Sequence, residues 1–305
     1  MLIEAQKSIL ELIDTEVLRD KKITLHVKRD DLLHPLVSGN KWRKLKYNLK
    51  QVHASGKKKI LSFGGAFSNH IYSLAAAGKI LGMETIGVIR GEEFAEKLNP
   101  TLLFARSCGM KLHFISRKEF RKKSDSNLLD YLREAYGEFY LLPEGGSNVY
   151  ALKGCAELVG EINIPFDYIC CPCGTGGTLA GISSALYEGK TALGFSALKE
   201  EGYIEQQVEG LLKEAGLSSS CHKVFHNYHW GGYGKIHSDL IHFMDQLYKE
   251  TGLQTDPVYT GKMFYGIFDL IKRAYFAPGS SIVAVHTGGL QGIAGMNEKM
   301  NQLRN

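Results

Sequence analysis

Apolar residues along the chain switch between two spacings. Short continuous apolar runs alternate with stretches in which apolar residues recur every three or four positions, and glycine or a polar turn separates them. Residues 1–20 carry Ile9, Leu10 and Ile13 at a spacing that predicts a short amphipathic helix, and Lys22 to Arg29 alternates as a strand running into Asp30-Asp31. His34-Pro35 continues that loop to Ser38-Gly39-Asn40-Lys41-Trp42-Arg43-Lys44-Leu45. Trp42, Leu45, Leu49 and Val52 then recur at helical spacing, with Asn40 as the expected N-cap and Gly56 as the stop.

From there a regular rhythm sets in. Lys59 to Phe63 reads as a strand, broken by Gly64-Gly65, and Ser68-Asn69 caps a helix stopped by Gly82. Thr85 to Ile89 is the next strand, and Asn99-Pro100 gives an N-cap followed by proline at the first helical position. Strands at Lys111 to Ile115 and Phe139 to Leu142 flank a helix from Asn127 to Tyr136. A helix over 149–161 leads to the strand Phe166 to Cys171, and Gly174 to Thr178 opens a helix through Leu179, Ile182 and Leu186. Strands at Leu193 to Ser196, Lys223 to Tyr228 and Ser281 to His286, and helices at Ile204 to Leu212, 238–250 and 260–275, complete the pattern before a short closing helix. Strands alternating with helices predict an α/β chain with parallel sheets covered on both faces. The units fall into two groups, roughly 44–150 and 151–305, and the pattern leaves the N-terminal segment assignable to either. No internal repeat and no long linker interrupts them.

Bulk properties narrow the function. A chain of 305 residues suits two α/β units, and 44% hydrophobic with 23% charged residues is ordinary for a globular protein. The net charge of +5 comes from scattered runs such as Lys57-Lys58-Lys59 and Arg121-Lys122-Lys123, with no basic stripe interleaved with aromatics, which argues against nucleic acid. Glu4, Glu11 and Asp14 exclude a signal peptide, no apolar run approaches a membrane span, and six cysteines in this length suggest a reducing cytoplasm.

Three cations crowd the first turn after Asn40, although a helix N-terminus is itself positive. Either they reach to solvent, or an anion sits there and one lysine has a lowered pKa that makes it an amine nucleophile. Gly174-Thr175-Gly176-Gly177-Thr178 follows a strand and opens a helix, where backbone amides and the helix dipole converge on an anion and the threonines add hydroxyl donors. No Lys-Ser/Thr pair follows, so it is not a P-loop, and Leu179 breaks the dinucleotide fingerprint. Ser68-Asn69-His70 sits at another strand-to-helix junction able to hold a carboxylate. Cys170, Cys171 and Cys173 are closely spaced, but adjacent strand residues face opposite ways and no second ligand pair follows, so no metal is expected. His286 ends an apolar strand, where a lone histidine more often belongs to the core, and Tyr259-Thr260-Gly261-Lys262 turns into a helix.

Together these motifs resemble the D-cysteine desulfhydrase and 1-aminocyclopropane-1-carboxylate (ACC) deaminase branch of the fold-type II pyridoxal-phosphate (PLP) enzymes. The likeness runs nearly the whole length, through Lys28-Arg29-Asp30-Asp31, Ser38 to Leu45, Gly64 to His70, Pro143-Glu144-Gly145-Gly146-Ser147, Gly174 to Thr178, Pro257 to Lys262 and His286-Thr287-Gly288-Gly289, in the family's order. It implies two domains of the tryptophan synthase β-like kind, each an open, twisted, mostly parallel sheet with helices on both faces. Residues 44–150 would form the small domain, and residues 1–43 with 151–305 the large, PLP-binding one. It implies that Lys41 holds PLP covalently, that Lys44 and Gly174, Thr175, Gly176, Gly177 and Thr178 bind its phosphate, and that Asn69 lies near its 3-hydroxyl. Ser68, Asn69 and His70 would bind the substrate carboxylate, Tyr259 would be an active-site tyrosine, and Thr260 or Thr287 would face the pyridine nitrogen. A homodimer acting on a small amino acid is implied as well.

Within this resemblance the ACC deaminases carry Tyr-Glu-Gly-Lys, whose glutamate pairs with the pyridine nitrogen, where this chain has Thr260; they carry leucine where it has Thr287. A hydroxyl makes the ring a weaker electron sink than a carboxylate does. Opening a cyclopropane needs the stronger sink, and expelling a thiolate needs less. The expected reaction is therefore α,β-elimination from D-cysteine to pyruvate, ammonia and hydrogen sulfide, with Lys41 as base. ACC deamination is the alternative, and a PLP-binding protein with little catalysis is the alternative from another class. The chain is somewhat shorter than typical members, mainly in the second domain. Phe67 replaces a glutamine common in these motifs, and Glu144 stands where many members are less acidic.

Overall fold

The computed structural model describes residues 3–219 and 221–304. The chain begins with β1 (Leu10–Ile13), α1 (Glu16–Lys21), β2 (Thr24–Lys28) and α2 (Asn40–Ala54). It continues through β3 (Lys59–Gly65), α3 (Asn69–Leu81), β4 (Glu84–Arg90), α4 (Pro100–Ser107), β5 (Lys111–Ile115), α5 (Arg117–Phe120), α6 (Ser126–Tyr136) and β6 (Tyr140–Leu142). Then come α7 (Val149–Gly160), β7 (Tyr168–Cys173), α8 (Gly177–Ser184), β8 (Thr191–Ser196), α9 (Tyr203–Glu214) and β9 (His222–Phe225). Last are α10 (Ser238–Thr251), α11 (Thr260–Lys272), β10 (Ser281–Val285) and α12 (Asn297–Arg304).

The strands form two sheets, one in the order β1-β2-β10-β7-β8-β9 and the other in the order β5-β4-β3-β6. Every pairing is parallel except β1 with β2. Both faces of each sheet are covered. Leu25, Cys170, Leu193 and Ile282 pack on one side of the larger sheet with Leu18 and the apolar face of α11. Ile169, Cys171, Ala192 and Val283 pack on the other with α7, α8 and α9. Alternate residues of one strand thus enter different cores, as the strand period requires. Cys170 is separated in this way from Cys171 and Cys173. In the smaller sheet Ile60 and Ile89 face α2, α3 and α4, whereas Leu61, Phe63, Ile86 and Val88 face Phe120 and Leu132.

The caps form where the chain's chemistry places them. Ser68 and Asn99 accept from backbone N–H groups at the starts of α3 and α4, and Gly82 ends α3 in the left-handed conformation. The N-terminus departs from expectation. The helix expected over residues 1–20 is replaced by β1 and the short α1, while Met1 and Leu2 lie outside the described residues. Positions 9, 10 and 13 do fit a helical spacing, but Leu10 to Ile13 pairs along its length with Leu25 to Lys28. A long-range ladder overrides so short a periodic signal. Asn40 is also not the N-cap of α2. Gly39 is, and Asn40 is the first helical residue.

Helix α2 lies against α7 without a gap. A Cβ at Gly154 would stand 2.0 Å from the Arg43 carbonyl oxygen, which is backbone and cannot turn away. Gly→Ala in a helix interior ordinarily stabilises by about 1 kcal/mol. Here the clash reverses the sign: Gly154→Ala is expected to destabilise by about 1–3 kcal/mol, read as a lower urea midpoint at unchanged m-value.

Candidate active site

The C-terminal ends of β3, β7 and β10 and the N-termini of α2, α3 and α8 converge on one cleft of about 300 Å³, lined among others by Lys41, Lys44, Asn69, Thr175, Tyr259 and Thr287. Open α/β sheets place ligands there, because loops leave the strands and helices begin on the same side.

Arg43 fixes the start of α2. Its guanidinium is fully buried and forks between Asp30, at 2.5 and 2.8 Å, and Glu161, at 2.8 and 2.9 Å. Lys28 Nζ joins Glu161 at 2.9 Å. Gly39 is pressed against Thr287, where a Cβ would meet the carbonyl oxygen at 1.9 Å, and its φ of +63° also favours glycine. The opposite side of the helix start carries Lys41 and Lys44 into the cleft. No carboxylate holds either one among the described residues. Lys44 Nζ reaches Ser147 Oγ at 2.9 Å, the Gly145 carbonyl at 3.4 Å and Thr175 Oγ1 at 3.5 Å. Burial, and then the charge of Lys44, pull the Lys41 amine down to about 7; burial also lowers Lys44.

Facing these lysines is the N-terminus of α8, which has no side-chain cap. A Cβ at Gly177 would stand 2.6 Å from Ser147 Oγ and 3.2 Å from Lys44 Nζ, so glycine keeps that space clear. Gly176 supplies the turn at φ +71°. Asn40 Nδ2 donates to Thr178 Oγ1 at 2.9 Å, which ties the lysine helix to the glycine loop. An uncapped helix start, a hydroxyl pair and unpaired buried cations suit a phosphate, so the residues present fit PLP. Gly174, Thr175, Gly176 and Thr178 line the cleft.

Ser68, Asn69 and His70 also line the cleft. Ser68 Oγ accepts from Ile71 N–H at 3.3 Å, which leaves its proton free to donate. Asn69 Oδ1 accepts from Gln291 Nε2 at 3.1 Å. His70 is buried. Ser62 Oγ donates to the Leu142 carbonyl and therefore accepts from His70 Nε2, each at 2.8 Å. This network assigns the ring proton to Nε2 and leaves Nδ1 a bare acceptor without a partner among the described residues. Burial and the charges of Lys41 and Lys44 push the imidazole well below its ordinary pKa, so it stays neutral.

Tyr259 lies beside Gly174, and burial raises its hydroxyl well above the usual value. Thr287 lines the cleft and Thr260 does not. The Thr260 hydroxyl donates to Asp256 Oδ2 at 2.7 Å and accepts from Asp256 N–H at 2.8 Å, which leaves it no proton for a ring in the cleft. His286 belongs to the core: it donates to the Gln254 carbonyl at 2.7 Å and accepts from Gly288 N–H at 3.3 Å.

The sequence gives no role to Arg90, Tyr203 and Tyr233 of the cleft, nor to Ser147 beside it. Ser147 bridges Lys44 and Thr175, the latter at 2.7 Å. Tyr233 meets Tyr259 edge to face at 5.9 Å, and Lys262 holds its loop through the His229 and Gly232 carbonyls. An aromatic inside the run Gly231-Gly232-Tyr233-Gly234 was the available signal.

The lowered Lys41 pKa has a measurable sign. A neutral amine acylates, so trace labelling of Lys41 in cofactor-free protein should climb through pH 7 and level off above it. Exposed lysines should keep climbing to about pH 10. Mass spectrometry of the labelled peptides reads both, and a Lys41 curve that follows the exposed lysines refutes the desolvated amine.

Comparison with known proteins places this geometry. The model of a family described as "Pyridoxal-phosphate dependent enzyme" matches residues 10–288. A putative ACC deaminase of Pyrococcus horikoshii is 31% identical over 297 residues, spanning 92% of this chain and 88% of the relative. A mitochondrial bifunctional D-cysteine desulfhydrase/ACC deaminase of Arabidopsis thaliana is 31% identical over 302 residues, spanning 92% of this chain and 75% of the relative. The crystal structure of an ACC deaminase homologue superposes with a TM-score of 0.86 at 29% identity, covering 98% of this chain and 94% of that one. A tomato (Solanum lycopersicum) threonine deaminase shares the fold at a TM-score of 0.68 and 16% identity, covering 99% of this chain and 84% of that one. With the family's model spanning almost all of it, and with a lysine and phosphate cradle suited to the cofactor, the chain belongs to the pyridoxal-phosphate-dependent enzymes of fold type II.

Proposed function

We propose that the protein is a deaminating PLP-dependent lyase that eliminates the β-substituent of a small amino acid, with D-cysteine as the leading substrate. One observation carries this reading: two lysines without carboxylates face an uncapped glycine-rich helix start, and one of them titrates near 7. When bound, the pyridine ring supplies an electron sink for negative charge at the substrate Cα.

The chain's residues divide the remaining work. Lys44, Ser147 and the Gly174 to Thr178 loop hold the phosphate, so the Lys41 amine is free to be neutral. Lys41 would be the residue that holds the cofactor and, as a free amine, would take the α-proton, a task suited to an amine lowered to about 7. The start of α3, with the Ser68 hydroxyl and Asn69, receives the substrate carboxylate, and His70 backs that loop as a neutral acceptor. Tyr259 stays protonated and so can donate to a departing thiolate. Thr287, which lines the cleft as Thr260 does not, would be the residue that meets the pyridine nitrogen. Water consumed in hydrolysing the enamine balances the products, pyruvate, ammonia and hydrogen sulfide.

ACC deamination to 2-oxobutanoate and ammonia is the second reading, supported by the names of several relatives. A hydroxyl rather than a carboxylate at the ring nitrogen favours the elimination. We take the protein to be a cytoplasmic homodimer. The six free cysteines support the compartment, and the assembly rests on the family likeness. No helix among the described residues is long and apolar enough to cross a membrane.

Side-by-side assays decide the substrate: pyruvate from D-cysteine is expected, and turnover of ACC alone reverses the order of the two readings. Lys41→Ala is expected to abolish covalent cofactor capture and to lower turnover by at least about a thousandfold, since it removes anchor and base together. Thr287→Val should shift the absorbance of bound cofactor and lower kcat. Thr260→Val should leave that spectrum in place and lower stability by about 1–3 kcal/mol, because the Asp256 N–H loses its acceptor and the carboxylate one of its donors. The opposite pattern would return the ring contact to Thr260.

A further inference from the structure

A second cavity, of about 420 Å³, adjoins the cleft beside Asn69 and Tyr259. The two share Gly65, Asn69, Arg90, Tyr233 and Tyr259, so one set of residues walls both. Its charge is one-sided. Arg90, Arg117, Lys235 and Lys299 line it against one carboxylate, Asp256. That carboxylate is already engaged by the N–H groups of Val258, Tyr259 and Thr260 and by the Thr260 hydroxyl.

Among these four cations Arg90 alone also lines the cleft. Arg117 is paired with Glu93 at 2.5 Å, and in the neighbouring cleft Lys123 holds Glu144 at 3.1 Å. Arg90 ends β4 directly beside Gly65 of β3, the strand that leads into the Ser68-Asn69 loop. Its Nη2 lies 3.5 Å from the place a Gly65 Cβ would occupy, which puts the guanidinium beside Gly65 at the cleft. Its Cζ lies over the Phe120 ring, 5.5 Å from the centroid. Among the described residues its side chain has no hydrogen bond or carboxylate partner. A guanidinium without an acceptor has its N–H groups free, and their fork matches a planar or tetrahedral oxyanion.

We propose that the β-substituent of the substrate is an oxyanion group, a sulfonate or a phosphate ester, and that Arg90 receives it. This rests on the lyase reading and narrows its substrate class. A small thiol leaves Arg90, Lys235 and Lys299 without an anion; an oxyanion substituent engages Arg90, the one of the three that also lines the cleft. The chemistry is the same elimination. The α-proton is removed, the bond from Cβ to the substituent breaks with its electron pair on the substituent, and sulfite or hydrogen phosphate leaves. Water then takes the place of the amine, giving pyruvate and ammonia.

The test compares pyruvate release by the holoenzyme from 3-sulfoalanine, O-phosphoserine, cysteine and 3-chloroalanine, each in both configurations. The expected result is a kcat/KM at least about tenfold higher for one oxyanion substrate than for cysteine or chloroalanine of the same configuration, as one charge-assisted contact would give. Arg90→Met should lower that ratio about tenfold or more, and Arg90→Lys should restore part of it. Which of the two oxyanion substrates is preferred identifies the group. A readout independent of turnover is calorimetric binding of 3-sulfopropanoate against butanoate, where the wild type should prefer the sulfonate and Arg90→Met should lose the preference. Turnover of cysteine or chloroalanine with no oxyanion preference, and a ratio unmoved by Arg90→Met, overturns the proposal and leaves the lyase reading standing. No pyruvate from any substrate overturns the lyase reading, and the calorimetric comparison then decides the role of Arg90 by itself.

Discussion

The buried fork of Arg43 between Asp30 and Glu161 is the contact on which the active site depends. Three cations at a helix start are unfavourable in themselves, because the N-terminal N–H groups already carry partial positive charge. The chain resolves this by sorting them. Arg43 turns inward to two carboxylates, one before β10's neighbour β2 has finished its loop and one at the end of α7. Lys41 and Lys44 turn into the cleft, where no carboxylate among the described residues pairs with them. Arg43 and Asp30 are both fully buried, so removing Asp30 strands the guanidinium, a loss of about 3–5 kcal/mol. The pairing therefore holds the two lysines in place while leaving their charge to be answered by a ligand.

That sorting works only because backbones approach closely around it. Gly154 lets α7 touch the Arg43 carbonyl, and Gly39 lets the start of α2 touch Thr287 at the end of β10. Asn40 then reaches Thr178 at the start of α8. Lys41 is thus located by three elements that are far apart in the chain, and its lowered pKa follows from the same closeness, since desolvation is the largest cause. The electrostatic property that suits Lys41 to proton transfer is a product of packing.

Much of this was legible without coordinates. The β-α rhythm could be read because parallel strands buried on both faces are continuous apolar runs, and because Ser68, Asn99, Pro100 and Gly82 mark helix ends by their own local chemistry. Leu10 to Ile13 was misread for the converse reason: its helical spacing is local, whereas the partner that makes it a strand, Leu25 to Lys28, is not. Asn40 looked like a cap and is instead a cross-link, a difference set by Gly39 taking the cap position. Tyr233 and Ser147 had no spacing to announce them, since each earns its place through a neighbour some distance along the chain, Tyr259 and Lys44 respectively.

The order of motifs from Lys28 to Gly289 determined the family and the cofactor, because those depend on residue types at local junctions: a lysine at a helix start, glycines between strand and helix. Tertiary structure decided how near-identical residues divide their roles. Thr260 and Thr287 are the same side chain in comparable motifs, yet one hydroxyl is closed onto Asp256 and the other side lines the cleft. Likewise Lys41, Arg43 and Lys44 are three cations within one helical turn, and only the positions of Asp30 and Glu161 separate the structural one from the two that await an anion. Hydrogen bonds and desolvation act over a few ångströms in space, and the sequence order does not carry those distances.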